Sequence, residues 1–351
     1  MPQLEFPDTV NSEARGLPYV SVVMPVRNEG DFIRRSLGAV LAQDYARDCL
    51  EVLVVDGMSD DETRAIVAEM GASDARVRML DNPARIIPTA LNIGIATARG
   101  EFIVRVDGHT VIEPDYITQC VHHLQRTGAD NVGGPMQPAG LTPMGEAIAA
   151  ATSAPFGIPT RFHHSRTPGY VDTVYMGAWP RAVFERVGGF DETLIRNQDY
   201  ELNYRIRQYG GRIYYAPDIR ATYYGRQTLR ALARQYFQYG VWKVHVIVQH
   251  PASTRPRHLV APAFVMALAA GAALTPFTRR GRWLLAAVAG SYALANLAAS
   301  AQLARQRGWR LLLRVPAVFA TIHVAWGVGF WRGVLQQARG LVSWRGAGRP
   351  A

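Results

Sequence analysis

Short apolar runs and stretches of helical spacing alternate over the first hundred residues. Tyr19–Val26 is β-rich and carries Pro25 near its end, and Leu50–Val55 reads as a buried strand. Between them Ile33, Leu37, Val40 and Leu41 recur at helical spacing over Asp31–Ala42. Asp61–Met70 reads as a helix, Val77–Leu80 as a short strand, and Phe102–Val106 as a fourth strand. Pro88 suits a helix start, and Leu91, Ile95 and Ala98 continue that helix to Gly100. This β-α-β-α-β-α-β rhythm predicts an α/β domain with a mostly parallel sheet and helices on both faces. Ligands of such sheets bind beyond the carboxyl ends of the strands, where Asp56 and Asp107 fall.

Beyond Val106 the pattern is mixed. Helices are expected over Pro114–Arg126, Arg181–Val187 and Gln198–Tyr209, the last closed by Gly210-Gly211. Strands are expected over Asn131–Pro135, Thr173–Ala178 and Arg212–Tyr215. Arg230–Gln249 places Leu232, Tyr236, Tyr239, Val246 and Ile247 among Arg234 and Lys243, the pattern of an interfacial amphipathic helix or of an ordinary surface helix. Three uncharged stretches follow, Leu259–Thr278, Trp283–Ala304 and Val315–Trp331. The first two reach the roughly 20 residues that cross a bilayer, and the third lies near the lower limit. Arg and Trp cluster at their ends as membrane anchors do. Every connecting loop is basic, so charge does not orient the path.

Charge sharpens the division. The formal net charge is +10, yet all 28 acidic residues precede Ile219, which leaves about −8 before that point and about +18 after it. Basic residues interleaved with apolar runs favour anionic lipid over nucleic acid as a partner. Cys49 and Cys120 form no disulfide framework, and a reducing compartment is expected. Met1–Pro18 holds acids and prolines without an apolar core, so it does not read as a signal peptide. The expected organisation is an N-terminal extension (1–17), an α/β domain (18–225), an interfacial helix region (226–257), a membrane region of two to three spans (258–340) and a basic tail (341–351). The expected location is the inner, cytoplasmic membrane, multi-pass, with the α/β domain in the cytoplasm.

Three acidic signatures carry the candidate chemistry. Asp56 ends a strand and can accept a hydrogen bond from the imide N–H of uracil; the competing reading is an Asp-Gly turn, with Ser59 or Asp60 capping the next helix. Asp107 and His109 follow Phe102–Val106 at a spacing of two, and carboxylate with imidazole suits Mn²⁺, Mg²⁺ or Zn²⁺; the competing reading is a polar strand-end loop. Asp199 opens a helix whose Leu202, Ile206 and Tyr209 are read on the same stripe, so it is expected to face inward as a general base; the competing reading is a helix N-cap. Arg205 and Arg207 are either diphosphate ligands or a solvated face. No G-x-G-x-x-G follows Val55, and no P-loop or zinc spacing occurs, which argues against dinucleotide oxidoreductases and NTPases.

The ordered set Met24-Pro25-Val26-Arg27-Asn28-Glu29, Gln43-Asp44-Tyr45, Val55–Asp60, Ala90–Gly94, Arg105–His109, Val187–Asp191 and Gln198–Asn203 resembles a family-2 glycosyltransferase with the GT-A fold. The likeness spans roughly Tyr19–Trp242. It implies a nucleotide-sugar site at Pro25, Arg27, Glu29, Asp56, Asn92 and Asp107, with Glu29 and Asp56 on the uridine. It also implies a Mn²⁺ or Mg²⁺ site at Asp107 and His109, and Asp199 as the base of an inverting displacement. Gln198, Arg205, Gln238 and Trp242 become acceptor or diphosphate candidates. A second Asp is common in the family where His109 stands, and an Asp-x-His form is known among polypeptide N-acetylgalactosaminyltransferases. Gln238-Tyr239-Gly240-Val241-Trp242 has Val where processive synthases have Arg, which implies addition of one sugar. The likeness is to succinoglycan-type glucosyltransferases of exopolysaccharide assembly. The implied partners are a UDP-sugar donor, a lipid-linked saccharide acceptor and membrane lipid. A polyprenyl-phosphate glycosyltransferase and a non-catalytic nucleotide-sugar-binding scaffold are the alternatives.

Overall fold

The computed structural model describes residues 4, 6–7, 16–158 and 166–340. Most of the expected N-terminal extension and the whole tail 341–351 lie outside the described residues. The chain forms two compact units, one of Met1–Gln137 with His164–Tyr224, the other of Pro138–His163 with Gly225–Ala351.

The first unit is built on β1 (Val20–Val26), β2 (Leu50–Asp56), β3 (Val77–Asp81) and β4 (Phe102–Arg105). β1 and β2 are buried at every position. Runs of Val and Leu buried on both faces are the signature of a parallel central sheet. β1 pairs in parallel with both β2 and β4, with Val26 opposite Asp56 and Val23 opposite Arg105. β5 (Thr110–Ile112), β6 (Asn131–Gly133), β7 (Met136–Ala139), β8 (Gly169–Val171), β9 (Ala178–Pro180), β10 (Ile213–Tyr215) and β11 (Ala221–Tyr224) follow. The main sheet has the order β3-β2-β1-β4-β9-β6-β10-β8, in which β9 runs antiparallel to β4 and β6, and β8 antiparallel to β10. β5 and β11 pair antiparallel in a smaller sheet.

Helix Gly30–Leu41 buries Ile33, Leu37 and Val40 as its spacing predicts, and the core joins them to Val22, Met24, Val52, Val54 and Val104. The expected strand Thr173–Ala178 is displaced: the strand is Ala178–Pro180. Met176 and Gly177 adopt φ values of +54° and +114°, which no extended strand accommodates. Tyr209 is 61% exposed, against the expected inward position. It is the C-cap, one residue past the last helical position Gln208, so the helix no longer holds it against the core with Leu202 and Ile206.

The second unit is helical. Leu229–Gln249 is capped by Thr228, whose hydroxyl accepts from the Ala231 amide, and it buries Leu232, Tyr236, Gly240 and Lys243–Val246. It packs along Val315–Ala338. A Cβ on Gly240 would stand 2.2 Å from the Trp326 carbonyl oxygen, and one on Gly329 would stand 2.0 Å from that of Phe237, so these helices meet backbone to backbone. Helix Pro143–Thr152, within a stretch left unassigned by the sequence pattern, starts with Pro143 behind the Thr142 cap and buries its alanine run against Phe319 and Ile322. Pro256–Leu274, Arg279–Arg307 and Val315–Ala338 are each long and apolar enough to cross a membrane. Val260, Phe277, Trp283, Leu294 and Leu313 stay exposed on this unit. For apolar side chains on such helices, lipid is the natural covering.

Candidate active site

Glu29, Asp56, Asp107 and His109 lie at or just beyond the carboxyl ends of β1, β2 and β4. β4 delivers Arg105, and Val106 continues toward the turn, its amide donating to the Val23 carbonyl at 3.1 Å. Gly108 is required by the close approach of Glu29 and Val26: a Cβ there would meet Glu29 Cγ at 2.9 Å. Ser36 on helix Gly30–Leu41 donates its hydroxyl to the Gly108 carbonyl at 2.6 Å and fixes the turn to that helix. His109 follows, its Nδ1 2.8 Å from Glu29 Oε1 and its ring edge-on to Tyr223 at 5.1 Å.

Arg105 lies at the centre. Its side chain is only 6% exposed. Nε donates to Asp107 Oδ1 at 2.7 Å, and Nη1 donates to Asp199 Oδ1, 94 positions along the chain. Burial works against its charge, but the two carboxylates more than offset that and hold the guanidinium well above its ordinary value. Asp199 is not the cap of its helix: Asn197 occupies that position with φ +64°, and Asp199 falls in the first turn of Gln198–Gln208. Its carboxylate reaches Arg105 instead. Burial raises the Asp199 carboxyl above the ordinary 3.8, Arg105 opposes the rise, and Asp107 adds to it. The group nonetheless keeps 39% of its side-chain surface open to solvent. The Tyr175 hydroxyl, 2.7 Å from Thr110 Oγ1, is pushed up by its burial and by the Asp107 charge.

Asp56 is fully buried at the end of β2. It accepts from the Ser59 hydroxyl at 2.5 Å, the Ser59 amide at 3.0 Å and Arg64 Nη1 at 2.6 Å. A carboxylate has about four acceptor positions, so this partner set leaves little for a base. Arg64 also pairs with Asp81 and presents a third of its side chain to solvent beside Asp56. The turn reading thus captures Ser59, while Asp60 is drawn to Asn28 Nδ2 at 2.7 Å. Asn28 has φ +54° and hands the chain from β1 to helix Gly30–Leu41.

Other candidates have different occupations. Pro25 is buried within β1, opposite Val55. Arg27 is exposed and lies over Gly57. Asn92 is buried; it donates to the Phe190 carbonyl at 2.9 Å and to Glu192 Oε1 at 2.8 Å, and accepts from the Phe190 amide at 2.8 Å, which ties its helix to the loop after Gly189. Arg205 is buried and commits its guanidinium to Glu201, at 2.6 and 2.8 Å, and to the carbonyls of Val187 and Gly189. Those bonds hold the fold and leave no open fork for a diphosphate. Gln198 is buried at the helix start. Gln238 and Trp242 belong to the second unit, on Leu229–Gln249, where the Trp242 ring lies tilted against His245 at 4.7 Å.

A divalent metal fits Asp107 and His109 in kind. One carboxylate and one imidazole form a two-ligand set suited to an ion whose other ligands are substrate phosphates and water. Glu29 on His109 Nδ1 is the carboxylate–imidazole pairing that orients metal-binding histidines. Among the described residues no three His, Cys, Asp or Glu side chains gather as a closed metal cage.

Residues 21–146 match the profile "Glycosyl transferase family 2". The chain is 31% identical over 323 residues to "Succinoglycan biosynthesis protein ExoA" of Rhizobium meliloti (strain 1021), covering 91% of this chain and 96% of that one. It is 26% identical over 233 residues to a dolichyl N-acetyl-alpha-D-glucosaminyl phosphate 3-beta-D-2,3-diacetamido-2,3-dideoxy-beta-D-glucuronosyltransferase of Methanococcus voltae, covering 64% of this chain and 73% of that one. Among solved structures it resembles the mannosyltransferase PcManGT of Pyrobaculum calidifontis, solved with GDP-Man and Mn²⁺, with a TM-score of 0.56 at 22% identity over 93% of this chain and 90% of that one. That likeness is one of fold, the GT-A arrangement expected from the strand–helix rhythm. With a relative of this identity aligned over nearly its whole length, the chain belongs to glycosyl transferase family 2.

Proposed function

We propose that this protein adds a single hexose, glucose or a close relative, from a UDP-sugar to a lipid-linked saccharide at the cytoplasmic face of the inner membrane. The product enters polysaccharide assembly. The reaction is an inverting displacement. Asp199 takes the proton of the acceptor hydroxyl, and that oxygen attacks the anomeric carbon opposite the nucleotide diphosphate. An α-linked donor therefore yields a β-linked product. Arg27, Glu29 and Arg64, the last held by the buried Asp56, are the groups offered to the nucleotide. Asp107 and His109 would hold Mn²⁺ or Mg²⁺, which neutralises charge on the leaving diphosphate.

One observation carries this reading. Asp107, on the turn after β4, and Asp199, in the first turn of its helix, are brought onto the same guanidinium at the end of β4. A carboxylate whose pKa burial raises, tied to the same arginine as Asp107, supports the general-base reading. The dolichyl relative supports a saccharide acceptor carried on lipid, the succinoglycan relative supports a place in polysaccharide assembly, and the three apolar helices support a membrane setting.

The test is to incubate the purified full-length protein with a panel of UDP-, GDP- and dTDP-hexoses and bacterial lipid extract, followed by mass analysis. The reading expects one hexose added to a lipid-linked saccharide from a UDP-sugar. Addition to a polyprenyl phosphate, undiminished in Asp199→Asn, would instead favour the phosphate-acceptor alternative, because a phosphate oxygen needs no base. Failure of every donor to react or hydrolyse would point to the scaffold.

A further inference from the structure

We propose that Arg105 is a positioning residue for transfer: a single buried guanidinium that holds the donor-side carboxylate of Asp107 and the base carboxylate of Asp199 in one fixed relation. This deepens the proposed function and rests on its assignment of Asp199.

Arg105 ends a strand that is otherwise Phe102, Ile103 and Val104, all buried. Burying a guanidinium there is costly, and an apolar side chain of similar volume usually serves stability as well or better. The strand therefore gains something other than stability from an arginine. The geometry says what. The backbone of Arg105 is locked on both sides, in parallel register with Val23 of β1 and with its amide donating to the Gly177 carbonyl at 3.1 Å. Its side chain is a rigid planar fork. Nε and Nη1 point to different carboxylates, so the separation of Asp107 and Asp199 is set by the dimensions of one guanidinium. Lysine, with one point charge on a flexible stem, cannot set that separation.

The helix that carries Asp199 adds a second observation. Its cap Asn197 stands at φ +64°, and the Asn197 side chain makes no capping bond. The bond from Asp199 to Arg105 links the start of this helix to the sheet. Two carboxylates drawn together without the guanidinium would repel one another, and Asp199, the one on a helix start, would swing away. Base and donor site would then lose register while each stayed intact.

The experiment uses the full-length protein with the nucleotide sugar selected by the donor panel, lipid extract as acceptor, and UDP binding as a separate readout. Arg105→Gln should lower kcat by about 10²-fold, the usual scale for a misplaced reacting group, while UDP affinity holds. The fall in kcat should exceed any change in donor KM by at least about tenfold, because the loss is one of positioning rather than of binding. Arg105→Lys, which keeps the charge and guards against misfolding of the neutral variant, should recover only part of the rate. Added to Asp199→Asn, Arg105→Gln should cost little more, since groups acting as a unit are not additive. The inference is overturned if Arg105→Gln or Arg105→Lys keeps near-full kcat while Asp199→Asn is inactive, or if the two losses multiply. If Asp199→Asn itself is fully active, the base assignment fails, and this inference fails with it.

Discussion

His109 Nδ1 and Glu29 Oε1 stand 2.8 Å apart although eighty residues separate them in the chain. The contact joins the turn after β4 to the start of helix Gly30–Leu41. It gives the imidazole a fixed orientation, as carboxylate partners of metal-binding histidines do. Glu29→Gln should therefore weaken Mn²⁺ activation by about 10- to 100-fold, the usual cost of losing such a partner. His109→Ala should weaken it further and reduce donor affinity in parallel. Titrating Mn²⁺ against UDP binding and transfer measures both. Full turnover in excess chelator, or an unchanged titration in both variants, would remove the metal from this site.

The acid limb of the rate profile follows from Asp199. A general base works when ionised, and burial lifts this carboxyl above 3.8. Activity should therefore fall as pH drops through a value above that of an ordinary aspartate. The limb should vanish from the residual rate of Asp199→Asn. A kcat profile measured in constant ionic strength buffer checks this. A limb at or below the ordinary carboxylate value would mean that Asp199 is not the titrating base.

Arg205 gives a contrasting case. Its fork is spent on Glu201 and two carbonyls, with Glu201 fully buried. Arg205→Ala should cost about 3–5 kcal/mol of stability, the scale for unpairing a buried ion. Thermal unfolding reads that loss. Donor KM in the folded fraction should stay near the parent value; a large KM rise with unchanged stability would restore the diphosphate reading.

Leu294 tests the membrane reading. It lies near the middle of the 29-residue helix Arg279–Arg307 and is 72% exposed. Leu294→Asp should cost about 3 kcal/mol of insertion, the scale for an acidic residue at a span centre. The variant should become extractable by alkaline carbonate where the parent is not. Equal retention of both in the membrane pellet would argue that this helix does not span.

The central strands, the helices between them and the three apolar helices were legible because Val, Ile and Leu recur at periods set by burial. The ends of β2 and β4 were legible for the same reason, which is why Asp56 and Asp107 could be placed. Arg105 was visible in its motif, but its role was not. Strand periodicity says that position 105 is buried; it does not say that a carboxylate 94 residues away meets it there. The signal available was an arginine ending a buried apolar strand, which demands a counter-charge. Arg205 misled for the complementary reason, since a charged residue on a polar-looking helix reads as solvated until its buried partners are seen. β5, β8 and β11 span three or four residues each and owe their existence to pairing with distant segments. Helix Pro143–Thr152 did carry local signals, Thr142 before Pro143 and the alanine run, within a stretch otherwise rich in Gly and Pro.

The central claim is that Asp199 is the base of a transfer whose donor site lies beside it. Its most direct test is Asp199→Asn in the full-length protein, with UDP-sugar and lipid-linked acceptor, reading transfer and UDP binding on the same preparation. Transfer should fall by about 10²- to 10⁴-fold, the range for a lost general base, with UDP affinity nearly unchanged. Transfer to a hydroxyl acceptor at close to the parent rate would contradict it.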